Sequence, residues 1–390
     1  NSAEHEKNQG RKVLNVPNLR FPEFQGKWEE ERLADIADLY KGTGISKDQL
    51  SDDGEPCILY GELYTKYKSE TIREVISKTN IDNTKLVRSK ANDVIIPCSG
   101  ETAEDIATAR CVLNGNILLG GDLNIIRLHG YDGAFMSYQL NGRRKYDIAK
   151  VAQGVSVVHL YGEHLKGVKT INPCLEEQKK IAELLSLLDE RIATQNKIIE
   201  DLKKLKSAIS KKLLCNDKWT TYKIQDIAEI GRGRVISSAE IDRQKRPLYP
   251  VYSSQTSNDG IMGYLDEYMF DGEYITWTTD GANAGTVFYR KGMFNCTNVC
   301  GTLKILPKFD CYFVSLVLQQ ATQKYVSSNL ANPKLMNNTM ASIKIKMPDI
   351  ETQKQLSKIF QTLDSCLLAH QRTCCMYSRE KQYLLCQMFI

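Results

Sequence analysis

Two stretches of the chain repeat apolar residues at alternating steps of four and three. The first covers positions 181–213 and the second 356–388, and the two match at an offset of 175 residues. This spacing is the heptad pattern of long helices that pair through a narrow apolar seam. The seam residues that carry the prediction are Ile181, Leu185, Leu188, Ile192, Ile199, Leu202, Leu356, Phe360, Leu363 and Leu367.

Polar residues interrupt the two seams at matching places. Gln195 corresponds to His370, and Lys206 corresponds to Lys381. One apolar stripe alone is typical of ordinary core packing, but two matched stripes of about 50 Å each need partners of similar length. We expect the two helices to pair with each other, and antiparallel pairing would relate the rest of the chain by a pseudo-twofold axis.

Other segments also occur twice. Segment 28–42 matches 219–233 at an offset of 191, and segment 173–179 matches 348–354 at an offset of 175. The difference between the offsets means that the middle of the second copy is shorter by sixteen residues. The start and the end of the two copies are therefore similar, whereas the segments between them differ. Such similarity at fixed offsets is the sequence signature of an internal repeat.

Short β-rich runs bounded by turn residues fill both middles. They cover 93–97, 116–119, 124–128, 274–277, 286–289 and 302–306, and we expect short amphipathic helices at 33–39 and 224–230. The predicted fold is α/β (α+β), with two similar mixed domains separated by two long antiparallel coiled-coil helices. The predicted boundaries are an N-terminal arm at 1–27, a domain at 28–172, a long helix at 173–214, a domain at 215–347 and a long helix at 348–390.

Composition changes this picture little. The chain has 52 Lys and Arg against 47 Asp and Glu, a net charge of +5, and 42% hydrophobic residues. No apolar run approaches the ~20 residues of a membrane span, and no secretory signal is visible. The twelve cysteines lack zinc-binding spacing. We expect reduced, mostly buried thiols in a cytoplasmic protein that has no membrane partner.

Motifs for several kinds of chemistry are missing. There is no Walker A loop, no Asn/Asp-Pro-Pro-Tyr/Phe string of an amino-methyltransferase, and no complete dinucleotide loop at 231–234. None of the five histidines has a nucleophile or metal partner at a diagnostic spacing. The sequence predicts no catalytic residue and no metal site, although it leaves open the alternative of a catalytic site without a recognised motif.

Two similar domains held by paired helices suit a target that has two similar halves, and duplex DNA is such a target. Lys and Arg in predicted loops would contact phosphates, and polar side chains would contact base edges. The DNA-binding candidates are Lys41, Lys47, Arg143, Arg144, Lys145, Arg232, Arg234, Arg243, Lys245, Arg246, Ser254, Gln255, Lys334, Asn337 and Asn338. Arg290 and Lys291 are also placed in or near a predicted loop.

From about Val16 onward, the chain resembles the specificity subunit of type I restriction–modification systems. The resemblance rests on the order and doubling of its motifs. They are Pro17-Asn-Leu-Arg-Phe-Pro-Glu-Phe-Gln-Gly-Lys-Trp28, Glu176-Glu-Gln-Lys-Lys-Ile-Ala182, Tyr249-Pro-Val-Tyr-Ser-Ser254, Asp280-Gly-Ala282 and Gln387-Met-Phe389. The first copy departs from the pattern, since it has Ser99-Gly-Glu101 where Asp-Gly-Ala is expected. The second helix departs in carrying His370, Cys374, Cys375 and Tyr377.

The resemblance implies a division of labour. Each domain would read one half of a bipartite, asymmetric site in double-stranded DNA, and the helices would set the spacer and dock two modification subunits. This chain would bind no cofactor. Adenine-N6 methylation with S-adenosylmethionine would belong to the modification subunits, and ATP- and Mg-dependent translocation and cleavage to restriction subunits, in a bacterial or archaeal cytoplasm.

Two alternatives remain at the sequence level. A methyltransferase or nuclease fused to its own recognition domains would need a cofactor loop or an acidic metal cluster. A helical scaffold or adaptor without sequence-specific DNA binding would show weak, salt-insensitive association with DNA. Binding through phosphate neutralisation would instead fall steeply with salt.

Overall fold

The computed structural model describes residues 15–82, 85–154, 157–214, 216–327 and 332–390. These residues form two compact units. The first unit runs up to Lys197 and also includes Gln371–Ile390, and the second unit is Ile198–His370. Each long helix therefore contributes one part to each unit. Residues 1–14 of the predicted N-terminal arm lie outside the described residues, as do 83–84, 155–156, 215 and 328–331 of the predicted domains.

The first unit is built on two five-stranded sheets. Its strands are β1 (Glu29–Arg32), β2 (Ala37–Lys41), β3 (Leu50–Ser51), β4 (Glu55–Ile58), β5 (Thr71–Ile72), β6 (Ser77–Thr79), β7 (Val87–Arg88), β8 (Asp93–Pro97), β9 (Ser99–Gly100), β10 (Arg110–Val112), β11 (Leu118–Leu119), β12 (Leu123–Leu128), β13 (Val158–His159) and β14 (Lys169–Asn172). Its helices are α1 (Leu33–Ile36), α2 (Glu62–Thr65), α3 (Ala103–Ile106), α4 (Gly133–Asn141), α5 (Lys145–Val151), α6 (Gly162–Lys166) and the beginning of α7 (Leu175–Leu213).

The second unit has fewer strands. They are β15 (Thr220–Lys223), β16 (Ala228–Arg232), β17 (Tyr249–Tyr252), β18 (Ile261–Leu265), β19 (Glu273–Thr278), β20 (Val287–Lys291), β21 (Asn295–Cys296), β22 (Cys300–Ile305) and β23 (Lys344–Met347). The helices are α8 (Ser238–Asp242), α9 (Cys311–Ala321), α10 (Asn337–Ser342) and α11 (Ile350–Met388), of which α11 continues into the first unit.

The sheets repeat in the same order in both units. The order β2-β12-β8-β10 of the first unit corresponds to β16-β22-β19-β20 of the second, and every neighbouring pair is antiparallel. The order β6-β4-β11 corresponds to β18-β17-β21, with one antiparallel and one parallel pair in each. The first unit adds β3, β5 and β7 at the sheet edges. The predicted fold class, two similar mixed domains with two long helices, is confirmed.

The tryptophans that open the two copies pack in the same way. Trp28 meets Phe135 of α4 edge to face at 5.9 Å between ring centroids, and Trp219 meets Phe313 of α9 at the same distance. Each phenylalanine lies three residues after an aspartate whose carboxylate accepts the Phe backbone N–H and so caps the helix. The tryptophan at the start of each copy therefore belongs to the hydrophobic core of its own unit.

A glutamine anchors the beginning of each long helix. Gln178 donates to the carbonyl of Pro173 and accepts from the backbone N–H of Asp132. Gln353 makes the corresponding two bonds, to Pro348 and from Asp310. The repeated Pro-to-Gln motif thus ties each long helix to the capped helix of the same unit.

Two sequence predictions were wrong in part. The segments 33–39 and 224–230 each form a single helical turn, α1 and the 3₁₀ turn Ile224–Asp226, and then continue as strands β2 and β16. Each strand pairs along its length with β12 or β22. Backbone pairing at a sheet edge outweighs a helical period read from only seven residues.

The long helices run antiparallel. In the first unit Asp189 of α7 contacts Lys381 of α11. Seven residues later in α7, Asn196 contacts Cys374, which lies seven residues before Lys381 in α11. In the second unit Lys206 contacts Asp364. The two lysines that interrupt the seam are therefore partners of aspartates on the facing helix. Among the described helices, none is both long and apolar enough to cross a membrane.

Most described cysteines are buried, as predicted. Cys57, Cys98, Cys111 and Cys311 lie within the cores. Burial raises the pKa of the Cys57 and Cys98 thiols to about 11 and that of Cys311 to about 12. These thiols stay protonated near neutral pH and serve as small apolar groups. Cys174, Cys375 and Cys386 are exposed.

Candidate nucleic-acid interface

Asp280, at the end of β19, collects two basic side chains in the second unit. Its Oδ2 lies 3.2 Å from Arg232 Nη2, and its Oδ1 lies 3.6 Å from Lys334 Nζ. Thr279 donates its hydroxyl to Asp280 Oδ2 at 2.6 Å. Arg232 ends strand β16 and also donates to the carbonyl of Asn298. The carboxylate therefore orients two cations that are both partly exposed.

A loop between β17 and β18 adjoins this group. Asn283, three residues after Asp280, donates its amide to the carbonyl of Ser254 at 3.1 Å. Gln255 folds back and donates to the carbonyl of Ile261 at 2.5 Å. Ser254 and Gln255 are half-buried, whereas the side chains at 256–259 are exposed. We call Arg232, Asp280, Lys334, Asn337 and loop 253–260 together the Asp280 surface.

Asn337 joins the Asp280 surface from the start of α10. Its amide donates to the carbonyl of Gly231 at 3.3 Å, next to Arg232. The following residue, Asn338, is exposed. The structure thus brings together five of the residues selected from the sequence, which are Arg232, Ser254, Gln255, Lys334 and Asn337.

The remaining basic candidates of the second unit lie elsewhere. Arg234 pairs with Glu240 of α8, and this hydrogen bond raises the pKa of the Arg234 guanidinium. Arg243, Lys245 and Arg246 are exposed and precede β17. The backbone N–H groups of Lys245 and Arg246 bind Asp266 just beyond β18. Arg243, Lys245 and Arg246 therefore lie near the end of the β17-β18 hairpin that is opposite loop 253–260.

The first unit has a corresponding cation at the same strand end. Lys41 ends β2 as Arg232 ends β16, and its Nζ lies 3.8 Å from Asp122 Oδ1. Asp122 also lines a groove of about 990 Å³, together with Lys47, Gln49 and Tyr60. The candidates Lys41 and Lys47 therefore share one surface of the first unit.

Arg143, Arg144 and Lys145 lie between α4 and the first residue of α5. Arg143 Nη2 donates to the carbonyl of Cys386 at 2.8 Å, and Arg144 Nη2 donates to that of Ile390 at 3.3 Å. Lys145 begins α5. The two arginines thus bind backbone at the end of α11 in this structure.

Sequence reasoning selected the amides Gln255 and Asn337 but missed both aspartates and one further amide of these surfaces. Asp122, Asp280 and Asn283 were not selected, because selection by positive charge ignores the residues that orient the cations. The Asp280-Gly-Ala282 string was the available signal. Among the described residues, no group of three or more His, Cys, Asp or Glu side chains could hold a metal ion.

A family model described as the type I restriction modification DNA specificity domain matches this chain twice. The matched residues are 25–204 and 216–373. Together these ranges include most of the chain, and each contains one of the two tryptophan-led copies.

Proteins of Mycoplasma pneumoniae that are described as type I specificity subunits are similar to parts of this chain. A candidate type I specificity subunit of that organism is 40% identical over 190 residues, covering 48% of this chain and 79% of the relative. The specificity subunit of the type I restriction enzyme MpnII is 43% identical over 145 residues, covering 37% of this chain and 43% of the relative.

Two solved structures share the fold. The S subunit of a type I restriction–modification system from M. genitalium superposes with a TM-score of 0.73 at 20% identity, covering 96% of this chain and 99% of that one. A chain from a study of type I R-M complex assembly and conformational transition gives a TM-score of 0.51 at 13% identity, covering 93% and 97%.

Proposed function

The chain belongs to the family of type I restriction–modification DNA specificity domains, and on that premise we propose that it gives such a system its DNA sequence specificity. The observation that supports the proposal is that a basic side chain ends the same strand in both domains. Lys41 and Arg232 end the corresponding strands β2 and β16, and each lies within 4 Å of an aspartate, Asp122 just before β12 and Asp280 just after β19. Each domain then has its own surface for half of a bipartite site in double-stranded DNA.

Each surface combines two kinds of DNA contact. Lys41, Lys47, Arg232 and Lys334 are cations that can approach phosphates and fix the position of the domain. Exposed hydroxyl and amide side chains, such as those at 256–258, can bond to base edges in the major groove. Aspartates beside the arginine and lysine side chains hold them in place before DNA arrives.

The two halves of the site differ in this proposal. In the second domain the connection between β17 and β18 is the short loop 253–260, whereas in the first domain β4 and β6 are joined by 59–76, which contains α2 and β5. Different loops on matching sheets present different side chains. The half-sites therefore differ in sequence, and the complete target is asymmetric.

The helices have a separate role. Exposed apolar side chains lie on them in each unit, including Leu187 and Tyr383 in the first, Leu205 and Ile359 in the second. Such side chains suit contact with a protein partner. We assign to α7 and α11 the setting of the spacer and the docking of two modification subunits.

Catalysis belongs to partner subunits in this proposal, and the chain itself acts as a non-catalytic subunit that binds no cofactor. Methylation of adenine N6 with S-adenosylmethionine is assigned to the modification subunits, and ATP- and Mg-dependent translocation and cleavage to restriction subunits in the cytoplasm. Family membership favours DNA recognition over the scaffold alternative.

Exchange of one domain tests the proposal. We expect replacement of residues 28–172 by the first domain of another specificity subunit to change one half of the methylated motif and to leave the other half and the spacer intact. The measurement is methylome sequencing of cells that carry the gene with its modification gene. A change in both halves would contradict the division between domains.

Arg232 and Arg243 provide a matched pair in the second domain. We expect Arg232→Ala to weaken binding of the full chain to its target duplex about ten- to 150-fold, the roughly 1.5–3 kcal/mol of a hydrogen bond to a charged group such as a phosphate. Arg243→Ala removes the same charge at the opposite end of the hairpin and should change affinity by less than about threefold. The dissociation constants are measured at one fixed salt concentration. Equal losses in the two variants would remove Asp280 and its neighbours from the interface.

A further inference from the structure

Arg290, which the sequence places in or near a loop, lies inside the second unit. It belongs to strand β20, and only 3% of its side chain is exposed. The guanidinium carbon is 3.6 Å from the ring centroid of Tyr252 and 4.4 Å from that of Phe288. A buried guanidinium is costly unless its N–H groups are satisfied, so its bonding partners define its role.

Both terminal nitrogens of Arg290 bind one residue of loop 253–260. Nη1 donates to Asp259 Oδ2 at 2.7 Å, and Nη2 donates to the Asp259 carbonyl at 2.8 Å. Nε donates to the hydroxyl of Thr276 in β19 at 3.3 Å. The arginine therefore connects the central sheet to a single point near the end of the loop.

The loop has a backbone conformation that requires such support. Asn258, Asp259 and Gly260 have φ values of +49°, +53° and +81°, so three consecutive residues are left-handed. Asparagine and aspartate adopt this region at a cost, and usually as single residues. A Cβ on Gly260 would lie 3.3 Å from Arg290 Nη2 and 3.2 Å from the carbonyl of Gln255. The loop is thus folded closely around the guanidinium.

The part of the loop next to this contact is exposed. Thr256, Ser257 and Asn258 are exposed, and the Asn258 amide donates to the carbonyl of Ile261 at 3.4 Å. The Asp259 side chain is 68% exposed although its carboxylate is bound. Hydroxyl and amide groups are the ones that bond to base edges and phosphates. The position of residues 256–258 depends on where Asp259 is held.

We propose that Arg290 is a positioning residue for DNA recognition, which holds residues 256–258 in the conformation that selects bases in one half-site. This inference rests on the proposed function, since it names the loop that discriminates and the buried residue that shapes it. Arg290 does not contact DNA itself. The Arg290–Asp259 contact acts through the loop backbone.

The first domain does not repeat this arrangement. In the second domain Arg290 pairs across the sheet with Tyr274, and the corresponding pair in the first domain is Asp93 with Val112. Val112 is fully buried and uncharged in the core. The effect of the Arg290–Asp259 contact on base preference is therefore confined to a single half-site.

The test removes the loop side of the contact, where folding is least at risk. The full chain, purified with its modification subunits, is used to select duplexes from a randomised library for wild type, Asp259→Ala and Asp271→Ala. Asp271→Ala is the control, because it removes the same charge from an exposed site without a bond to Arg290. A fourth protein, Arg290→Lys, keeps the positive charge but replaces the two nitrogens that bond to Asp259 by a single one.

We expect wild type and Asp271→Ala to enrich the same split motif. Asp259→Ala should lower base preference about fivefold or more at one or more positions of one half-site, the scale of a single mismatch, and leave the other half within about twofold. Arg290→Lys should relax the same positions. An Asp259→Ala profile identical to that of wild type, or equal weakening of both half-sites, would overturn the inference. A wild-type chain that enriches no motif would instead refute the proposed function, and the role of Arg290 with it.

Discussion

Replacing Lys381 with methionine is expected to destabilise the first unit by about 3–5 kcal/mol, the cost of removing one partner from a buried ion pair. Lys381 Nζ lies 2.5 Å from Glu70 Oε2 and 2.6 Å from Asp189 Oδ1. The three side chains are only 9–12% exposed. Methionine fills a similar volume, but it leaves two carboxylates close together with no cation between them.

The remaining bonds of Asp189 hold the carboxylate in place after the substitution. Tyr138 donates its hydroxyl to Asp189 Oδ2 at 2.7 Å, and Ser69 donates to the same oxygen at 3.0 Å. Burial raises the pKa of Tyr138, so the phenol stays protonated and remains a donor at neutral pH. Asp189 therefore cannot move into solvent without breaking further contacts.

Lys206→Met is the matched control, because Lys206 occupies the corresponding place in the other repeat. It binds one carboxylate, Asp364, and the two side chains are 25% and 39% exposed. We expect a loss of about 1 kcal/mol or less for a pair so accessible to water. Urea unfolding followed by hydrogen exchange of peptides from each unit gives the two stabilities separately. Equal losses would show that burial around Lys381 does not control its contribution.

A triple variant distinguishes the loss of the Lys381 ion pairs from the cost of leaving two buried carboxylates without a cation. Lys381→Met combined with Glu70→Gln and Asp189→Asn removes the two carboxylate charges that the single variant leaves behind. We expect it to recover most of the lost stability, since replacing a whole buried ionic group costs far less than removing one partner. No recovery would point to packing of the lysine side chain as the main contribution.

These ion pairs show what the sequence could and could not predict about the helices. The heptad period and the offset of 175 predict both helices and the lysines that interrupt them. The partners have no sequence signal, because Asp189 and Asp364 resemble ordinary exposed positions of a heptad. Glu70 is 311 residues from Lys381, and only the tertiary fold brings it to the seam.

The candidate interface shows the same limit. Selection by charge found Arg232 and Lys334, since both lie beside turns that the sequence marks. The predicted strand ends at 289, one residue before Arg290, whereas β20 continues to Lys291 and buries the Arg290 side chain. The identity of each cation's neighbour depends on which strands pair. No local sequence motif indicates that pairing, which is seen only in the sheets of the folded structure.

Lengthening both helices by one matched heptad is expected to move the two preferred half-sites apart. Duplication of residues 198–204 in α7 together with 366–372 in α11 adds seven residues to each helix. The contacts of Asp189 with Lys381 and of Lys206 with Asp364 stay in register, because the two duplications are opposite each other in the antiparallel arrangement. Each helix gains about 10 Å of length.

That length corresponds to about three base pairs of DNA at ~3.4 Å each. We therefore expect the selected motif to keep both half-sites and to gain about three base pairs of spacer. Seven residues are close to two full helical turns, so the insertion rotates each seam by only about 20°. Motif selection with the full chain and its modification subunits measures the spacer directly.

Duplication in α7 alone is the control for this prediction. It moves Lys206 seven residues away from Asp364 along the facing helix and breaks the register of the seam, so we expect loss of stability and not a new spacer. If the doubly lengthened chain kept the original spacer, the helices would not set the distance between half-sites. If it changed the half-site sequences themselves, the separation of reading surfaces from spacer helices would be wrong, because neither duplicated segment contains a residue of the Asp280 surface.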